Sequence, residues 1–268
     1  MPIRFASLGS GSKGNSTVFD DGTTRLLIDL GFSLKDALAR LAKLNLSPEQ
    51  IDGVLVTHEH ADHVHGVGPF ARKFRTPVIL THGSYNEKQI GEVPFLKRFN
   101  CGEKFSVGTV RIQSVAVPHD AKEPCQYILD SRGLSLGVLT DLGHVTPHIE
   151  VLYRDCHALL LEFNHDKKML LNGSYSSKLK ARVGGKYGHL SNIQAASLLR
   201  RLNLDRLKNL VVSHVSEKNN DLELAESSAL LELSDWMGNI TVAKQDFGFD
   251  WITIDISPNI QYCIKKQY

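Results

Sequence analysis

The stretch Thr57-His58-Glu59-His60-Ala61-Asp62-His63 places three histidines and two carboxylates within seven residues. It directly follows the apolar run 54–56, which has the composition of a buried strand. Imidazole and carboxylate ligands together suit zinc, iron or manganese. The alternative is a chance cluster of histidines on a solvated loop. We interpret the segment as a metal site for two ions, with its ligands held at the end of a strand.

Four further apolar runs in the chain also end in Asp or His, and a chance cluster gives no reason for that repetition. The final residues of these runs are Asp29 (after 26–28), His119 (after 115–118), Asp141 (after 137–140) and His214 (after 210–213). The pattern predicts that five strand ends converge on one edge of the fold.

Length and composition fit one large globular domain or two small ones. The chain has 268 residues, of which 42% are hydrophobic, and its formal net charge is only +2, so attraction to a polyanion would need local basic patches. We expect no signal peptide and no membrane span, because the apolar runs are short. Four separated cysteines without a C-x-x-C pair indicate reduced thiols of a cytoplasmic protein.

Short apolar strands alternate with amphipathic helices along the whole chain. Helices are predicted at 34–44 (capped by Ser33), 67–74, 191–202 and 222–233. Strands are predicted at 77–80, 110–117, 126–129, 134–139, 158–161, 209–212, 240–242 and 251–254, with a turn at 130–133. No Pro- or Ser-rich linker divides the chain. We therefore expect one α/β domain over 1–268, in which helices cover two packed sheets to give four layers.

These residues, in this order, resemble the metallo-β-lactamase superfamily over nearly the whole chain. The resemblance rests on Asp29, the motif His58-x-His60-x-Asp62-His63, His119, Asp141 and His214. It implies a four-layer αβ/βα sandwich, the metallo-β-lactamase fold, with a dinuclear site at one edge. Two divalent metal ions per chain are therefore expected, with Zn²⁺ the first choice and Mn²⁺ or Fe²⁺ the others.

The family's roles transfer to this sequence position by position. By resemblance, one metal has the ligands His58, His60 and His119, the other has the ligands Asp62, His63 and His214, and Asp141 bridges the two. Asp29 resembles a carboxylate that orients the histidine segment without binding metal. Penicillin-hydrolysing members typically carry Cys at the position of Asp141, so phosphodiester or thioester hydrolysis suits this chain better.

Two further segments resemble transfer-RNA-processing and related phosphodiesterases of this fold. They are 159–166, which contains Glu162, and 188–192, which contains His189. By resemblance, His189 stabilises the phosphate or protonates the leaving oxygen, and Glu162 keeps His189 protonated. Asp62 would take up or orient the proton of the attacking water. The alternative is that His189 only begins a helix and Glu162 only caps a strand.

The segments 8–16 and 212–220 resemble signatures of the bacterial WalJ (YycJ) subgroup. That resemblance implies a DNA exonuclease, 5′-to-3′ in polarity, which acts in DNA repair or processing. The residues of these segments expected to contact substrate are Ser10, Ser12, Asn15 and Asn219. A glycine-rich loop such as 8–16 is, taken alone, more often a plain turn.

The segment 175–189 contains four basic residues and no acidic one, namely Lys178, Lys180, Arg182 and Lys186. We predict a mobile basic loop beside the metals, where it would contact the phosphates of a nucleic acid. An ordinary solvated loop is the alternative.

Other functions stay open on the sequence. They are hydrolysis of a small phosphodiester, a thioester or a lactone as in glyoxalase II, cleavage of RNA, and a non-catalytic metal-binding regulatory role. The sequence indicates DNA as the partner and no protein partner. Of the remaining histidines, His65 is expected on a helix surface, His165 facing substrate, and His82, His144, His148 and His157 in structural or exposed positions.

Overall fold

The computed structural model describes residues 1–255, whose strands form two seven-stranded sheets. The first sheet contains β1 (Ile3–Gly9), β2 (Ser16–Asp20), β3 (Arg25–Ile28), β4 (Gly53–Leu55), β5 (Val78–Thr81), β6 (Leu96–Phe99) and β14 (Phe249–Ile254), in the order β14-β1-β2-β3-β4-β5-β6. The second contains β7 (Lys104–Val107), β8 (Val110–Ala116), β9 (Cys125–Ser131), β10 (Leu134–Leu139), β11 (Ala158–Glu162), β12 (Asn209–Ser213) and β13 (Asn239–Val242), in the order β13-β12-β11-β10-β9-β8-β7.

Besides a short 3₁₀ helix (Pro48–Gln50), nine α-helices connect these strands in the described residues. They are α1 (Leu34–Lys43), α2 (Ala61–Val64), α3 (Val67–Phe74), α4 (Glu87–Ile90), α5 (Pro147–Tyr153), α6 (Lys167–Asn172), α7 (Ser177–Val183), α8 (Asn192–Leu199) and α9 (Leu222–Leu230). Ser33 caps α1 as predicted, since its hydroxyl accepts a hydrogen bond from Asp36 N. Across residues 1–255, no helix is both long and apolar enough to cross a membrane.

The side chains of each central strand alternate between two cores. In β3, Leu26 and Ile28 lie in the core between the sheets, whereas Leu27 packs on the outer side with Leu41 of α1. In β11, residues 158 and 160 point to that same central core, and residues 159 and 161 pack under α5, α8 and α9. Strands buried on both faces explain the continuous apolar runs of the sequence. The four-layer fold is confirmed, while a single domain over 1–268 stays a prediction.

The strand directions explain why the metal-ligand candidates meet. Strands β3 to β6 are parallel, and so are β10 to β13. Strand β8 runs antiparallel to β9, which runs antiparallel to β10, so β8 and β10 end at the same edge. The candidates follow the carboxyl ends of β3, β4, β8, β10 and β12, and they therefore share one edge of the sandwich.

Two sequence predictions about loops are corrected by the structure. The predicted mobile loop at 175–189 is wrong, because residues 177–183 form α7, whose first turn is capped by the Ser176 hydroxyl. Its Lys, Leu, Ala and Arg residues favour a helix, and Gly184 follows directly at its end. The turn between β9 and β10 is also tighter than predicted. It has only two central residues, Arg132 and Gly133, both with positive φ, which suits the twist of a hairpin.

Asp21 joins the two sheets at the other end of the sandwich. Its Oδ2 accepts hydrogen bonds from the hydroxyls of Thr109 (2.6 Å) and Ser131 (2.7 Å), and its Oδ1 accepts from the backbone N–H of Thr23 and Thr24. Burial raises the pKa of Asp21, but these donors outweigh that effect and lower the pKa to about 2. The ionised carboxylate thus stabilises the contact between the sheets.

We expect Asp21→Asn to lower the free energy of unfolding by about 2 kcal/mol at pH 7, because an amide replaces a charged acceptor of several buried donors. The folded-state pKa lies below the unfolded value, so the stabilisation is complete above about pH 4 and is lost as the pH falls towards 2. Urea unfolding of both proteins at pH 7 and pH 3 measures the difference. The matched control is Asp205→Asn at an exposed position, which should change nothing. A difference at pH 3 as large as that at pH 7 would contradict the role of the charge.

Candidate metal centre

The buried carboxylate of Asp29 organises the histidine segment. Its Oδ1 accepts a hydrogen bond from Thr57 N (2.8 Å), and its Oδ2 lies 2.8 Å from both Thr57 Oγ1 and His63 Nδ1. The bond to Nδ1 orients the His63 ring so that Nε2 points away from Asp29. A carboxylate that holds the far nitrogen of a histidine in this way is typical of metal sites.

The first group of candidate ligands consists of His58, His60 and His119, each of which offers a ring nitrogen within 4.8 Å of the others. His58 Nε2 lies 3.0 Å from His60 Nδ1, and His119 Nε2 lies 3.4 Å from the same atom. His119 Nδ1 donates to the carbonyl oxygen of Gly188 at 3.1 Å, which leaves Nε2 as the lone-pair nitrogen. Three imidazoles therefore present acceptors to one point.

The second group consists of Asp62, His63 and His214, whose candidate ligand atoms also lie within 4.8 Å of one another. Asp141 lies between the two groups. Its Oδ2 is 3.4 Å from His63 Nε2, and its Oδ1 is 3.5 Å from His214 Nε2. Asp141 also forms a third group with His58 and His63, so its carboxylate is within reach of both groups.

Three of these side chains depend on an unusual backbone conformation. Asp29, Asp141 and His214 have φ angles of 60°, 53° and 52°. Asp29 and His214 directly follow their strands, and Asp141 is the second residue after its strand. A left-handed conformation is uncommon for residues other than glycine, and it clusters where function requires it. Here it turns the side chain off the strand direction and into the edge between the sheets.

Buried ligand atoms without partners indicate that the site fits metal ions. Asp141 Oδ2 and His214 Nε2 are both buried, and neither has a hydrogen-bond partner within residues 1–255. Such atoms are costly unless a charged partner satisfies them. With the donor set of histidine and aspartate, they fit divalent ions of the zinc, manganese or iron class.

Glu162, which is buried, and His189, which is partly exposed, form an ion pair beside Asp141. Glu162 Oε2 lies 3.1 Å from His189 Nδ1, and Oε1 accepts from the backbone N–H of Leu142 and Leu190. Burial lowers the pKa of His189, but the Glu162 carboxylate outweighs that effect and raises the pKa to about 9. Burial likewise raises the pKa of Glu162, and His189 reverses this and lowers it to about 2. The ionised pair presents a protonated imidazole to the site.

A cavity of about 390 Å³ opens above these residues. Besides candidate ligands and His189, its lining includes Ser12, Arg182 and Asp120. Asp120 was not identified from the sequence, although its position next to His119 is a signal that could have indicated it. Its Oδ1 lies 3.4 Å from His119 Nε2, and its Oδ2 pairs with the Arg182 guanidinium. The cavity therefore has a cation and an anion at its mouth.

Several residues expected to contact substrate lie elsewhere. Ser10 accepts a hydrogen bond from His214 N, and the Asn15 amide lies 3.2 Å from His63 Nε2, so both support the ligands. Asn219 is only 1% exposed and its side chain lies near Gly173, because the 214–220 segment folds under α6. The remaining basic residues, Lys178, Lys180 and Lys186, do not line the cavity, and Lys180 Nζ instead donates to Leu171 O.

The other histidines differ in how far they are buried. His165 is 2% exposed, so the expectation that it faces substrate is wrong. It lies near Gly184 at the end of α7, and burial lowers its pKa to about 4. His65 and His148 are exposed as expected, and so is His82. His157 is buried, and its Nδ1 accepts from Ser135 N.

Sequence comparisons show which family this chain resembles. The profile described as Beta-lactamase superfamily domain matches residues 24–214. The chain is 34% identical over 263 residues to exodeoxyribonuclease WalJ of Streptococcus pneumoniae serotype 2 (strain D39 / NCTC 7466), covering 96% of this chain and 95% of the relative. It is 35% identical over 234 residues to exodeoxyribonuclease YycJ of Bacillus anthracis, covering 85% and 88%.

Solved structures agree with the fold. The metallo-β-lactamase fold protein YhfI from Bacillus subtilis superposes with a TM-score of 0.72 at 15% identity, covering 94% of this chain and 99% of that one. The short form of human tRNase Z gives a TM-score of 0.65 at 16% identity, covering 94% and 100%. At these identities the likeness concerns the fold alone. With the profile match and the two relatives of nearly full length, the chain belongs to the β-lactamase superfamily and has the metallo-β-lactamase fold.

Proposed function

We propose that this protein is a dinuclear-metal-dependent exodeoxyribonuclease that removes nucleotides from DNA in the 5′-to-3′ direction, in DNA repair or processing. The observation that carries the hydrolase assignment is the placement of Asp141 within reach of two histidine groups and beside the Glu162–His189 pair. DNA as the substrate rests on the two exodeoxyribonucleases to which nearly the whole chain is similar. A cytoplasmic location stays a prediction from the sequence.

Two divalent ions are the proposed cofactor. The proposed ligands of the first are His58, His60 and His119, those of the second are Asp62, His63 and His214, and Asp141 is shared. Such a pair supplies a water of lowered pKa and positive charge for the phosphate oxygens. Zinc is our first choice, and manganese and iron also suit this donor set.

The chain's own side chains supply the proton transfers. Asp62 is partly exposed in the cavity, where its carboxylate would orient the attacking water and accept its proton. His189 is held by Glu162 through Nδ1, so Nε2 is the nitrogen left to donate to a phosphate oxygen or to the departing sugar oxygen. Glu162 is fully buried and acts through His189 as a positioning residue.

Arg182 is the proposed phosphate contact of the basic segment. Its side chain is more than half exposed at the cavity mouth, and it pairs with Asp120. A guanidinium in this position can exchange that partner for a phosphate, which it binds in a bidentate manner. Ser12 lines the same cavity and offers a hydroxyl donor.

Asp141→Asn should reduce the content of both metals together, because one uncharged amide replaces the carboxylate that both ligand groups share. Elemental analysis of the purified protein after dialysis measures metal per chain, and we expect a fall from about two ions to fewer than one. Glu217→Gln is the matched control, since it removes an exposed carboxylate that pairs with Lys13 and belongs to none of the candidate ligand groups. Unchanged metal content in Asp141→Asn would contradict the shared ligand.

Metal-reconstituted protein should degrade a labelled DNA duplex from its 5′ ends. The assay uses duplexes with phosphorothioate linkages at either the 5′ or the 3′ ends, together with the matching single strand and RNA. Chelator and the Asp141→Asn variant should abolish degradation, and the 5′ linkages should block it.

Three results would contradict parts of this proposal. Blocking by the 3′ linkages alone would reverse the polarity, and cleavage of RNA alone would replace the substrate. No cleavage of any nucleic acid by protein with two bound metals would overturn the nuclease assignment. Hydrolysis of a small phosphodiester, thioester or lactone by that same protein would then support the alternative.

His189→Ala should lower kcat on DNA about 10²- to 10⁴-fold, the range of a lost general acid, with metal content unchanged. The loss should be much smaller on bis(p-nitrophenyl) phosphate, because nitrophenolate leaves without a proton. His65→Ala is the control, because His65 is an exposed histidine that lies two residues after the ligand candidate His63. Equal losses on both substrates would contradict the role as a proton donor and favour a phosphate contact alone.

A further inference from the structure

A second groove lies next to the metal cavity. It has a volume of about 410 Å³, within the roughly 300–1,000 Å³ of small-molecule pockets. Ser216 lines both the groove and the metal cavity. Ser216 lies two residues after the ligand candidate His214, so their Cα atoms are at most about 7 Å apart. Because the two spaces share Ser216 as a wall, a strand whose scissile phosphate lies in the metal cavity would reach the groove with a neighbouring nucleotide.

The outer wall of the groove is a rigid turn at residues 244–248. Lys244 and Gly248 exchange two backbone hydrogen bonds, and Arg40 Nη1 donates to the carbonyl oxygens of both Leu8 and Asp246. The Gln245 side chain accepts from the backbone of the glycine-rich loop at residue 13 and donates to it at residue 14. The glycine-rich loop thus separates the cavity from the groove, with Ser12 facing the former and Ser10 the latter.

Phe247 stands at the rim of this wall. Its side chain is 70% exposed over residues 1–255, although large aromatic rings are usually covered. The Lys43 ammonium lies 4.9 Å from its ring centroid. The Lys43 ammonium against the Phe247 ring and the turn beneath that ring hold the aromatic surface in a fixed position. This reduces the entropy that is lost when a second ring stacks on it.

The net negative charge of the groove lining disfavours binding of a phosphate. Among residues 1–255, its lining includes three carboxylates, Glu217, Asp221 and Asp246, but only one ammonium, that of Lys244. The remainder is apolar, as at Val215 and Leu222, or neutral and polar, as at Ser10, Ser216 and Gln245. Neutral donors and acceptors, apolar walls and an aromatic rim suit a flat heterocycle, which has no charge and has hydrogen-bonding edges.

We propose that this groove binds an unstacked nucleobase of the DNA strand within two nucleotides of the scissile phosphate, with Phe247 as its stacking platform. The proposal rests on the proposed nuclease function and assigns the groove a positioning role in it. Binding one base outside the duplex would hold the strand end open at the metal centre. Stacking on an aromatic side chain tolerates every base, as an exonuclease without sequence preference requires.

The test combines Phe247→Ala with single abasic nucleotides at the first, second or third position from the attacked end. Loss of the ring should raise KM for intact DNA about tenfold, within the range for one base–aromatic stack. One abasic position should raise KM of the wild-type protein by a similar factor, and on that substrate Phe247→Ala should add nothing. Phe247→Trp should restore the wild-type KM. Phe95→Ala is the matched control, since Phe95 is also exposed and lies under the Arg75 guanidinium.

The outcomes separate this inference from the function on which it rests. Wild-type protein that degrades DNA, with Phe247→Ala at the wild-type KM, would overturn the base groove and leave the nuclease in place. A loss in Phe247→Ala that is equally large on all abasic substrates would also overturn it. Wild-type protein that hydrolyses bis(p-nitrophenyl) phosphate but degrades no DNA would instead overturn the proposed nuclease.

Discussion

The carboxylate of Asp29 is the interaction on which the rest of the site depends. It is buried at the end of β3, where it fixes the backbone of Thr57 and the ring of His63. Through these two contacts one side chain determines where the ligand segment begins and how its last histidine points. Buried hydrogen bonds to a carboxylate are strong and directional, so they can set ligand geometry before any metal is bound.

The second constraint is the packing of two sheets with parallel central strands. Parallel strands end at one edge, and burial on both faces makes those strands rigid. That rigidity stabilises left-handed residues at three strand ends, Asp29, Asp141 and His214, whose conformations would be unfavourable in a loose loop. The same edge brings the Glu162–His189 pair from the second sheet to the ligand segment of the first. The proposed hydrolysis therefore needs residues from both sheets.

Most of the fold followed from local patterns, and the failures at Asn219 and Asp120 involve surroundings that are distant in sequence. The basic segment was predicted as a loop because its charges and Gly184 were weighed above its helix-forming residues, yet it forms α7. Asn219 was predicted at the substrate, but its segment folds beneath α6. Asp120 was overlooked because nothing in the sequence shows that Arg182 lies opposite it. Such pairs exist only after the chain has packed.

The sequence by itself determined the class of the protein. Alternating strand and helix patterns predicted the four layers, strand runs that end in Asp or His predicted the shared edge and the metal chemistry, and the resemblance of these residues to a known superfamily implied its fold, since periodicity and ligand identity are local properties. The tertiary structure alone decided which side chains face one another. It placed Asp141 between the two histidine groups, used Ser10 to support His214, and left Phe247 exposed beside the glycine-rich loop. These positions depend on contacts between residues as far apart as 232 positions, for which a single sequence carries no signal.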